Sequence, residues 1–154
     1  MTESAVSLLR EPDETGFELA ERWLEMRNVG GFFDRLRAVP VEVGQGRMVM
    51  RCALDHGHTN LAGLVHGGVT AALVDMAGSG AAMTLIAPGE GLLTADLSIR
   101  YLAPGKLNYQ TLTAEGQVSE RMGSKMIALV TVRDGTNEVI AQGSVCVVVR
   151  PPRD

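Results

Sequence analysis

Apolar and small residues recur at helical spacing in one long stretch near the middle of the chain. From Val69 they fall at positions 72, 73, 76, 77, 80 and 81, which is the periodicity of an α-helix. The opposite face is almost as apolar, so the pattern predicts a helix surrounded by protein. Gly78 and Gly80 each cost about 1 kcal/mol relative to alanine inside a helix, and we expect another element to cross there. Pro88 and Gly89 mark the end of the helix.

Alternating hydrophobic and polar positions predict strands on both sides of this helix. Before it, residues 37–43 and 47–53 flank a turn at Gly44-Gln45-Gly46. After it, segments rich in Val, Ile, Thr and Leu predict strands at residues 92–102, 110–118, 125–133 and 139–150. Short turns separate the long strands, which indicates antiparallel pairing. The order of elements predicts an α+β architecture, with a curved antiparallel sheet wrapped around one long central helix.

A short amphipathic helix is predicted before the first strand. Residues 1–14 are polar and acidic, and Thr15-Gly16-Phe17-Glu18 has the capping-box pattern of a helix start. Apolar residues follow at helical spacing, and the helix is expected to stop at Gly30-Gly31. We therefore divide the chain into an N-terminal extension, residues 1–30, and a main domain, residues 31–150.

Composition excludes several classes of function. The chain has 154 residues, a formal net charge of −4 and 4% aromatic residues, which argues against nucleic acid as a partner. Its two cysteines, Cys52 and Cys146, are too few for a disulfide framework. The N-terminus lacks the pattern of a secretory signal, and no apolar run reaches the ~20 residues of a membrane span. We expect a cytoplasmic protein that does not bind membranes.

The segment leading into the central helix is a candidate binding loop, because it ends in His66-Gly67-Gly68. Backbone N–H groups at a helix start have no intrahelical acceptor and carry partial positive charge. Glycines leave these groups accessible to a carbonyl oxygen or an oxyanion. On the glycines alone, an ordinary tight turn is the favoured interpretation, because Gly-rich turns are weak motifs.

Asp75 is the only ionisable residue between His66 and Glu90, within the apolar helix. Burying a carboxylate costs several kcal/mol unless it is paired, and no basic residue lies at helical spacing. We favour a general base or nucleophile, and a structural carboxylate bonded to a distant strand is the alternative. Thr94 and Ser98 lie on the following strand and could bond to the carboxylate or to a water molecule.

A metal site is the weaker interpretation of the histidines. His56 and His58 alternate on a segment expected to be extended, so both could face one way. Neither has an acidic or cysteine partner at ligand spacing, and we expect no metal and no other cofactor.

Taken together, these residues resemble a known family. The pattern Asn60-x-x-Gly63-x-x-His66-Gly67-Gly68 followed by Asp75 is similar to the signature of hotdog-fold acyl-CoA thioesterases of the PaaI-like group. The resemblance covers about residues 32–149. It includes the segments Leu93-Thr94-Ala95-Asp96, Tyr101-x-x-Pro104 and Ile140-Ala141-Gln142-Gly143.

The resemblance implies that the protein hydrolyses an acyl- or aryl-CoA thioester to the acid and CoA. It implies that Asp75 attacks the thioester carbonyl or activates water, and that the Gly67 amide polarises that carbonyl. His66 would support the loop, Asn60 would position the water or the thioester, and Thr94 would lie near the carboxylate. The residues that would contact substrate or the CoA nucleotide are Gly68, Arg121, Gly123 and Lys125.

Two other functions stay open at this point. A non-catalytic acyl-CoA-binding hotdog domain would keep Gly67 but has no need of Asp75. A hotdog dehydratase or hydratase would use a histidine with an acidic residue in a different local motif, which the sequence does not contain. Fold similarity alone does not separate these functions.

Helix geometry predicts that two subunits share the site. Gly67 and Asp75 are eight residues apart, which is about 12 Å along one helix, farther than a thioester group spans. We therefore expect the Gly67 amide of one subunit to face the Asp75 of another across antiparallel central helices, with Gly78, Gly80 and Ala81 at the contact. The resemblance likewise implies a homodimer, and a dimer of dimers, that is, a homotetramer.

Overall fold

One long helix and the sheet that curves around it make up most of the fold. The computed structural model describes residues 9–27 and 29–152. The helices are α1 (Gly16–Met26), α2 (Gly31–Leu36) and α3 (Gly67–Met83). The strands are β1 (Ala38–Gly44), β2 (Arg47–Ala53), β3 (Gly91–Tyr101), β4 (Thr111–Met122), β5 (Lys125–Asp134) and β6 (Val139–Arg150). Short 3₁₀ turns lie at His56–His58 and Leu107–Tyr109.

The six strands form a single antiparallel sheet in the order β1-β2-β4-β5-β6-β3. The strands β1 and β3 are therefore its two edges, and α3 lies against its concave face. This arrangement confirms the predicted α+β fold, including the short N-terminal helix. Among the helices of residues 9–27 and 29–152, none combines the length and hydrophobicity that a transmembrane segment needs.

The N-terminal segment differs from the prediction in one element. The capping box is present, since Thr15 Oγ1 accepts from the Glu18 amide at 3.1 Å and Glu18 accepts from the Thr15 amide at 2.7 Å. The helix it starts ends at Met26, where Arg27 adopts a left-handed conformation (φ 53°). The short helix α2, which begins at Gly31 with Gly30 as its N-cap, was not predicted, because six residues are too few to show a clear period. The boundary at residue 30 stays a prediction.

The central helix also ends earlier than predicted. It stops at Met83 rather than near Pro88. The Thr84 hydroxyl donates to the Ala81 carbonyl at 2.7 Å and accepts from the Gly46 amide at 2.7 Å. This side chain thus joins the helix end to the β1–β2 turn, a contact between distant segments that no local pattern reveals.

The glycines of α3 face the sheet of their own chain. A Cβ at Gly78 would lie 2.8 Å from Val145 Cβ, and a Cβ at Gly80 would collide with the Met48 sulfur. Close crossing of another element is therefore confirmed at both glycines. The expectation that Gly78, Gly80 and Ala81 line a contact between subunits is wrong, because all three are buried within one chain.

Residues 9–27 and 29–152 leave two regions of the fold uncovered. One is a stripe along α3, which we call the outer stripe; its members are Gly68, Ala71, Ala72, Asp75 and Ser79, all exposed or half-buried. The other is β3, which pairs with β6 on one side only and is exposed along most of its length. Thr94 of β3 contacts Asp75 of the outer stripe, so the two uncovered regions are adjacent.

Candidate active site

The start of α3 is organised by His66, which is the N-cap of the helix. Its Nδ1 accepts a hydrogen bond from the Gly68 amide at 2.8 Å. The predicted ligand contact of Gly68 therefore cannot use its amide in this conformation. The Gly67 N–H, by contrast, has no hydrogen-bond acceptor in the described part of the chain. The first turn thus presents one free backbone donor, which is the group an oxyanion or a carbonyl oxygen requires.

Tyr101 fixes the position of the same glycine from the end of β3. Its hydroxyl donates to the Gly67 carbonyl at 2.6 Å. A Cβ at Gly67 would lie 3.1 Å from that hydroxyl oxygen, so the ring leaves little space for any other residue. The sequence showed Tyr101 only as part of a motif. No spacing along the chain relates Tyr101 to Gly67, because the two residues are far apart in sequence.

Asn60 holds the loop before the helix. Its Oδ1 accepts from the amides of Ala62 at 2.9 Å and Leu64 at 3.1 Å. The loop is closed further by the His66 amide, which donates to the His58 carbonyl at 2.7 Å. With Oδ1 occupied in this way, the Asn60 side chain offers a substrate its Nδ2 donor.

His58 supports this loop from the core. It is buried in a 3₁₀ turn, where Nδ1 accepts from the Asp55 amide at 2.9 Å and Nε2 lies 3.0 Å from the Leu36 carbonyl oxygen. The Cys52 thiol donates to that same carbonyl at 3.1 Å, and burial raises the pKa of Cys52 to about 11. The expectation that His56 and His58 project together from an extended segment is wrong, since His56 is exposed and His58 is buried. Residues 9–27 and 29–152 contain no group of three or more His, Cys, Asp or Glu side chains arranged to hold a metal ion.

Asp75 is held by a single side-chain hydrogen bond. Its Oδ1 accepts from the Thr94 hydroxyl at 2.7 Å, whereas Oδ2 has no partner among the described residues. The register of β3 against β6 shifts between Thr94 and Asp96, and this bulge turns Thr94 toward α3. Ser98, which pairs with Ser144 of β6, forms no hydrogen bond with the carboxylate. Asp75 is half-buried rather than fully enclosed as predicted, because the described residues leave the outer stripe uncovered.

A cleft of about 550 Å³ opens beside the start of α3. Its lining includes Asn60, Gly67, Thr70, Tyr101 and Pro104. Neither Asp75 nor Thr94 lines it. One chain therefore brings the free amide and Asn60 together, and leaves the carboxylate about two helical turns away.

The predicted CoA contacts lie at the far end of α3. Arg121 is near the end of β4 rather than in a turn, and its Nη1 donates to the Leu85 carbonyl at 3.4 Å. Gly123 is in the β4–β5 turn with φ 60°, and Lys125 begins β5. Leu85 follows α3, so Arg121 contacts the end of the helix opposite to Gly67, about 25 Å away along the helix axis.

The fold and the site define a hotdog-type domain with a free amide at a helix start. The family model of the thioesterase superfamily matches residues 62–141, which is more than half of the chain and includes Gly67, Asp75 and Thr94. The chain belongs to the thioesterase superfamily and is a thioester hydrolase, as the sequence resemblance indicated.

Particular relatives support the same assignment. The human protein named acyl-coenzyme A thioesterase 13 is 27% identical over 105 residues, which cover 67% of this chain and 73% of that protein. A thioesterase structure from Haemophilus influenzae aligns with a TM-score of 0.76 at 18% identity, over 88% of this chain and 92% of that one. The structure of the E. coli PaaI protein, from the phenylacetic acid degradation operon, aligns with a TM-score of 0.75 at 18% identity. The alignment covers 86% of this chain and 94% of that one. These two structures share the fold.

Proposed function

We propose that the protein is an acyl-CoA thioesterase that hydrolyses an acyl- or aryl-CoA to the free acid and CoA, and that two subunits form each active site. The observation that carries the proposal is the presence of two groups on the same helix. One is the free Gly67 amide, and the other is the Asp75 carboxylate, which Thr94 holds on the uncovered outer stripe. The human relative's name, acyl-coenzyme A thioesterase 13, supports the CoA substrate.

In this mechanism the Gly67 N–H binds the thioester carbonyl oxygen and stabilises the negative charge that develops on it. The Thr94 hydroxyl occupies Asp75 Oδ1, so Oδ2 is the oxygen that attacks the carbonyl carbon or takes a proton from the attacking water. The C–S bond then breaks. If Asp75 is the nucleophile, CoA leaves as the thiolate and water then hydrolyses the mixed anhydride, which releases the acid and regenerates the carboxylate. If Asp75 is the general base, the acid forms directly and the proton held by Asp75 passes to the leaving thiolate. Asn60 Nδ2 orients the water or the thioester, and His66 keeps the first turn in place through its bond to Gly68.

The shared site follows from the separation of these groups. An amide and a carboxylate acting on one carbonyl must lie within about 3–3.5 Å of its oxygen and carbon, respectively. Two copies of α3 packed antiparallel through the outer stripe would bring Asp75 of one subunit toward Gly67 of the other, and a two-fold axis would give two equivalent sites. The same packing brings the far end of one helix, with Arg121, Gly123 and Lys125, closer to the partner's cleft. Pairing of dimers into a tetramer is part of the same proposal.

Thiol release from a panel of acyl- and aryl-CoAs tests the activity. The variant Asp75→Asn should lose at least about 100-fold in kcat with little change in KM, because the amide that binds the carbonyl is untouched. Asp13→Asn, at an exposed carboxylate outside the site, is the matched control and should keep the parent rate. Parent-like turnover by Asp75→Asn would remove Asp75 from the mechanism. Acyl-CoA binding without any thiol release would instead favour the non-catalytic binding function.

A further inference from the structure

Thr70 differs from the other buried polar side chains of residues 9–27 and 29–152. These side chains belong to His58, Thr70, Thr84 and Asp134, and each residue is at most 8% exposed. His58, Thr84 and Asp134 all form side-chain hydrogen bonds. The Thr70 hydroxyl forms none with the described residues. Buried hydroxyls are generally hydrogen-bonded, so Thr70 indicates a partner that these residues do not supply.

The Thr70 hydroxyl oxygen faces the cleft at the start of α3. Thr70 lines this cleft together with Gly67. Among the described residues, every side-chain oxygen or nitrogen that is fully enclosed has a hydrogen-bond partner. Because the Thr70 oxygen has no partner, it is not fully enclosed, and the cleft is the open space that Thr70 borders. The small exposed part of this residue therefore includes its hydroxyl.

Much of the remaining cleft wall is apolar, and includes Leu64, Val65, Leu102, Pro104 and Ile140. A wall of this kind suits a hydrocarbon chain better than the amide-containing arm of CoA. A purely hydrocarbon acyl group that covered Thr70 would displace water from the hydroxyl and leave it without a partner, which is unfavourable. An acyl group that carries an oxygen at this point would restore the hydrogen bond.

The spacing of Thr70 and Gly67 on α3 limits where that oxygen lies on the substrate. Positions three residues apart are neighbours on a helix surface, about 5–6 Å from each other. The Gly67 N–H binds the thioester carbonyl oxygen in the proposed mechanism, and each hydrogen bond spans about 2.7–3.0 Å. The oxygen that faces Thr70 must therefore be close to the thioester. An oxygen on carbon 2 is next to the carbonyl itself, whereas one on carbon 3 extends a bond further toward Thr70.

We infer that Thr70 is a specificity-determining residue, and that it selects acyl-CoAs with a hydroxyl or carbonyl oxygen on carbon 3 of the acyl chain. This inference rests on the proposed function and names the acyl group that the site takes. A threonine hydroxyl both donates and accepts, so it can pair with either kind of oxygen. A site built to bond a substrate oxygen discriminates against the analogue that lacks it, because the protein group is then left unpaired.

Exchanging a hydroxyl for a methyl group, on the substrate and on the protein, tests this inference. The compounds 3-hydroxybutanoyl-CoA and 3-methylbutanoyl-CoA have nearly the same shape and differ in that group, as threonine and valine do. The parent should hydrolyse the better 3-hydroxybutanoyl enantiomer at least about tenfold more efficiently in kcat/KM. Thr70→Val should lose or reverse that preference, and Thr70→Ser should retain it. Comparing the four kcat/KM values as a cycle cancels the intrinsic difference in reactivity between the two thioesters.

Thr131→Val is the matched control. Thr131 is a half-buried threonine of β5 and lies outside the cleft, so this variant should keep the parent kcat/KM for both substrates. If Thr70→Val instead lowers kcat/KM equally for both substrates, the hydroxyl contacts the CoA arm or the thioester, and the inference is overturned.

Urea denaturation supplies a readout that needs no substrate. Thr70→Val should be at least as stable as the parent, because the hydroxyl that it removes has no partner in the fold. Thr84→Val should lower the urea midpoint, because the Thr84 hydroxyl bonds to both Ala81 and Gly46 at 2.7 Å. A loss in Thr70→Val as large as that in Thr84→Val would show that the Thr70 hydroxyl has a structural partner, and would reject the inference.

The kinetic outcomes separate this inference from the proposed function. Hydrolysis of both substrates without the tenfold preference would overturn the role of Thr70 and leave the thioesterase proposal standing. A preference that persists unchanged in Thr70→Val would do the same. A parent protein that releases no thiol from any acyl-CoA would reject the proposed function, and the specificity with it.

Discussion

Thr94 illustrates how one hydroxyl prepares a carboxylate for chemistry. Its 2.7 Å hydrogen bond engages Asp75 Oδ1 and leaves Oδ2 free. In the proposed mechanism Thr94 is a positioning residue, because it acts through Asp75 and does not touch the substrate. Hydrogen bonds to charged groups contribute about 1.5–3 kcal/mol.

Replacing Thr94 with Val, which has nearly the same shape and no hydroxyl, should therefore lower kcat about 10- to 100-fold with KM nearly unchanged. Thr94→Ser keeps the hydroxyl and should retain most of the parent activity. Steady-state kinetics of both variants against one acyl-CoA provide the measurement. An equal loss in the two variants would indicate a packing role for Thr94 and no specific role for its hydroxyl.

The two cysteines should differ sharply in reactivity. Burial raises the pKa of Cys52 to about 11, so at pH 8 only about one Cys52 in a thousand is the reactive thiolate. Cys146 is half-buried and lies opposite Asp96 of β3 in the sheet. A thiol reagent should label at most one site rapidly in the native protein, and Cys146→Ser should abolish that labelling. Fast labelling of the Cys146→Ser protein would contradict the enclosed position of Cys52.

The close approach of α3 to the sheet depends on glycines on both surfaces. A Cβ at Gly116 of β4 would collide with the backbone carbonyl of Ala77 in the helix, whereas a Cβ at Gly80 would meet the flexible side chain of Met48. Backbone atoms of a packed helix cannot move aside as the end of a methionine can. Adding a methyl group should therefore destabilise the fold more at Gly116 than at Gly80.

Gly116→Ala should destabilise the fold by about 3 kcal/mol or more, because overpacking against backbone forces the helix away from the sheet. Gly80→Ala should cost less than about 2 kcal/mol, since the gain of about 1 kcal/mol in helix propensity offsets part of the clash. Urea denaturation of the two variants compares them directly. A larger loss of unfolding free energy in Gly80→Ala than in Gly116→Ala would contradict the difference expected between a backbone contact and a side-chain contact.

Sharing of the site between subunits leads to a prediction for mixed assemblies. Asn60→Ala and Asp75→Asn chains should each be nearly inactive alone. In a heterodimer of the two, one site carries both changes, and the other combines the intact Asn60 of one chain with the intact Asp75 of the other. Random exchange of equal amounts should restore about a quarter of the parent activity, because half of the dimers contain one intact site of two. A lack of recovery after confirmed exchange would reject the shared site.

Local patterns were sufficient for most of the elements. The period of apolar residues identified α3, the alternation of Val-rich segments identified the strands, and Thr15 with Glu18 identified the start of α1. Buried positions recur about every 3.6 residues in a helix and every two residues in a strand, so apolar residues show the same periods in the sequence. The short helix α2 and the end of α3 at Thr84 were missed or misplaced, because six residues carry little period and the Thr84 contact to Gly46 is long-range.

The sequence by itself determined the type of fold, the family and the residues that resemble its motif, since these depend on residue types at short, fixed spacings. Only the tertiary structure decided which groups are free to act. It showed that the Gly68 amide is bonded to His66, that Thr94 reaches Asp75, and that Gly78 faces the sheet. Hydrogen bonds and close packing join residues that are distant along the chain, and the direction in which a side chain points depends on how the elements pack together.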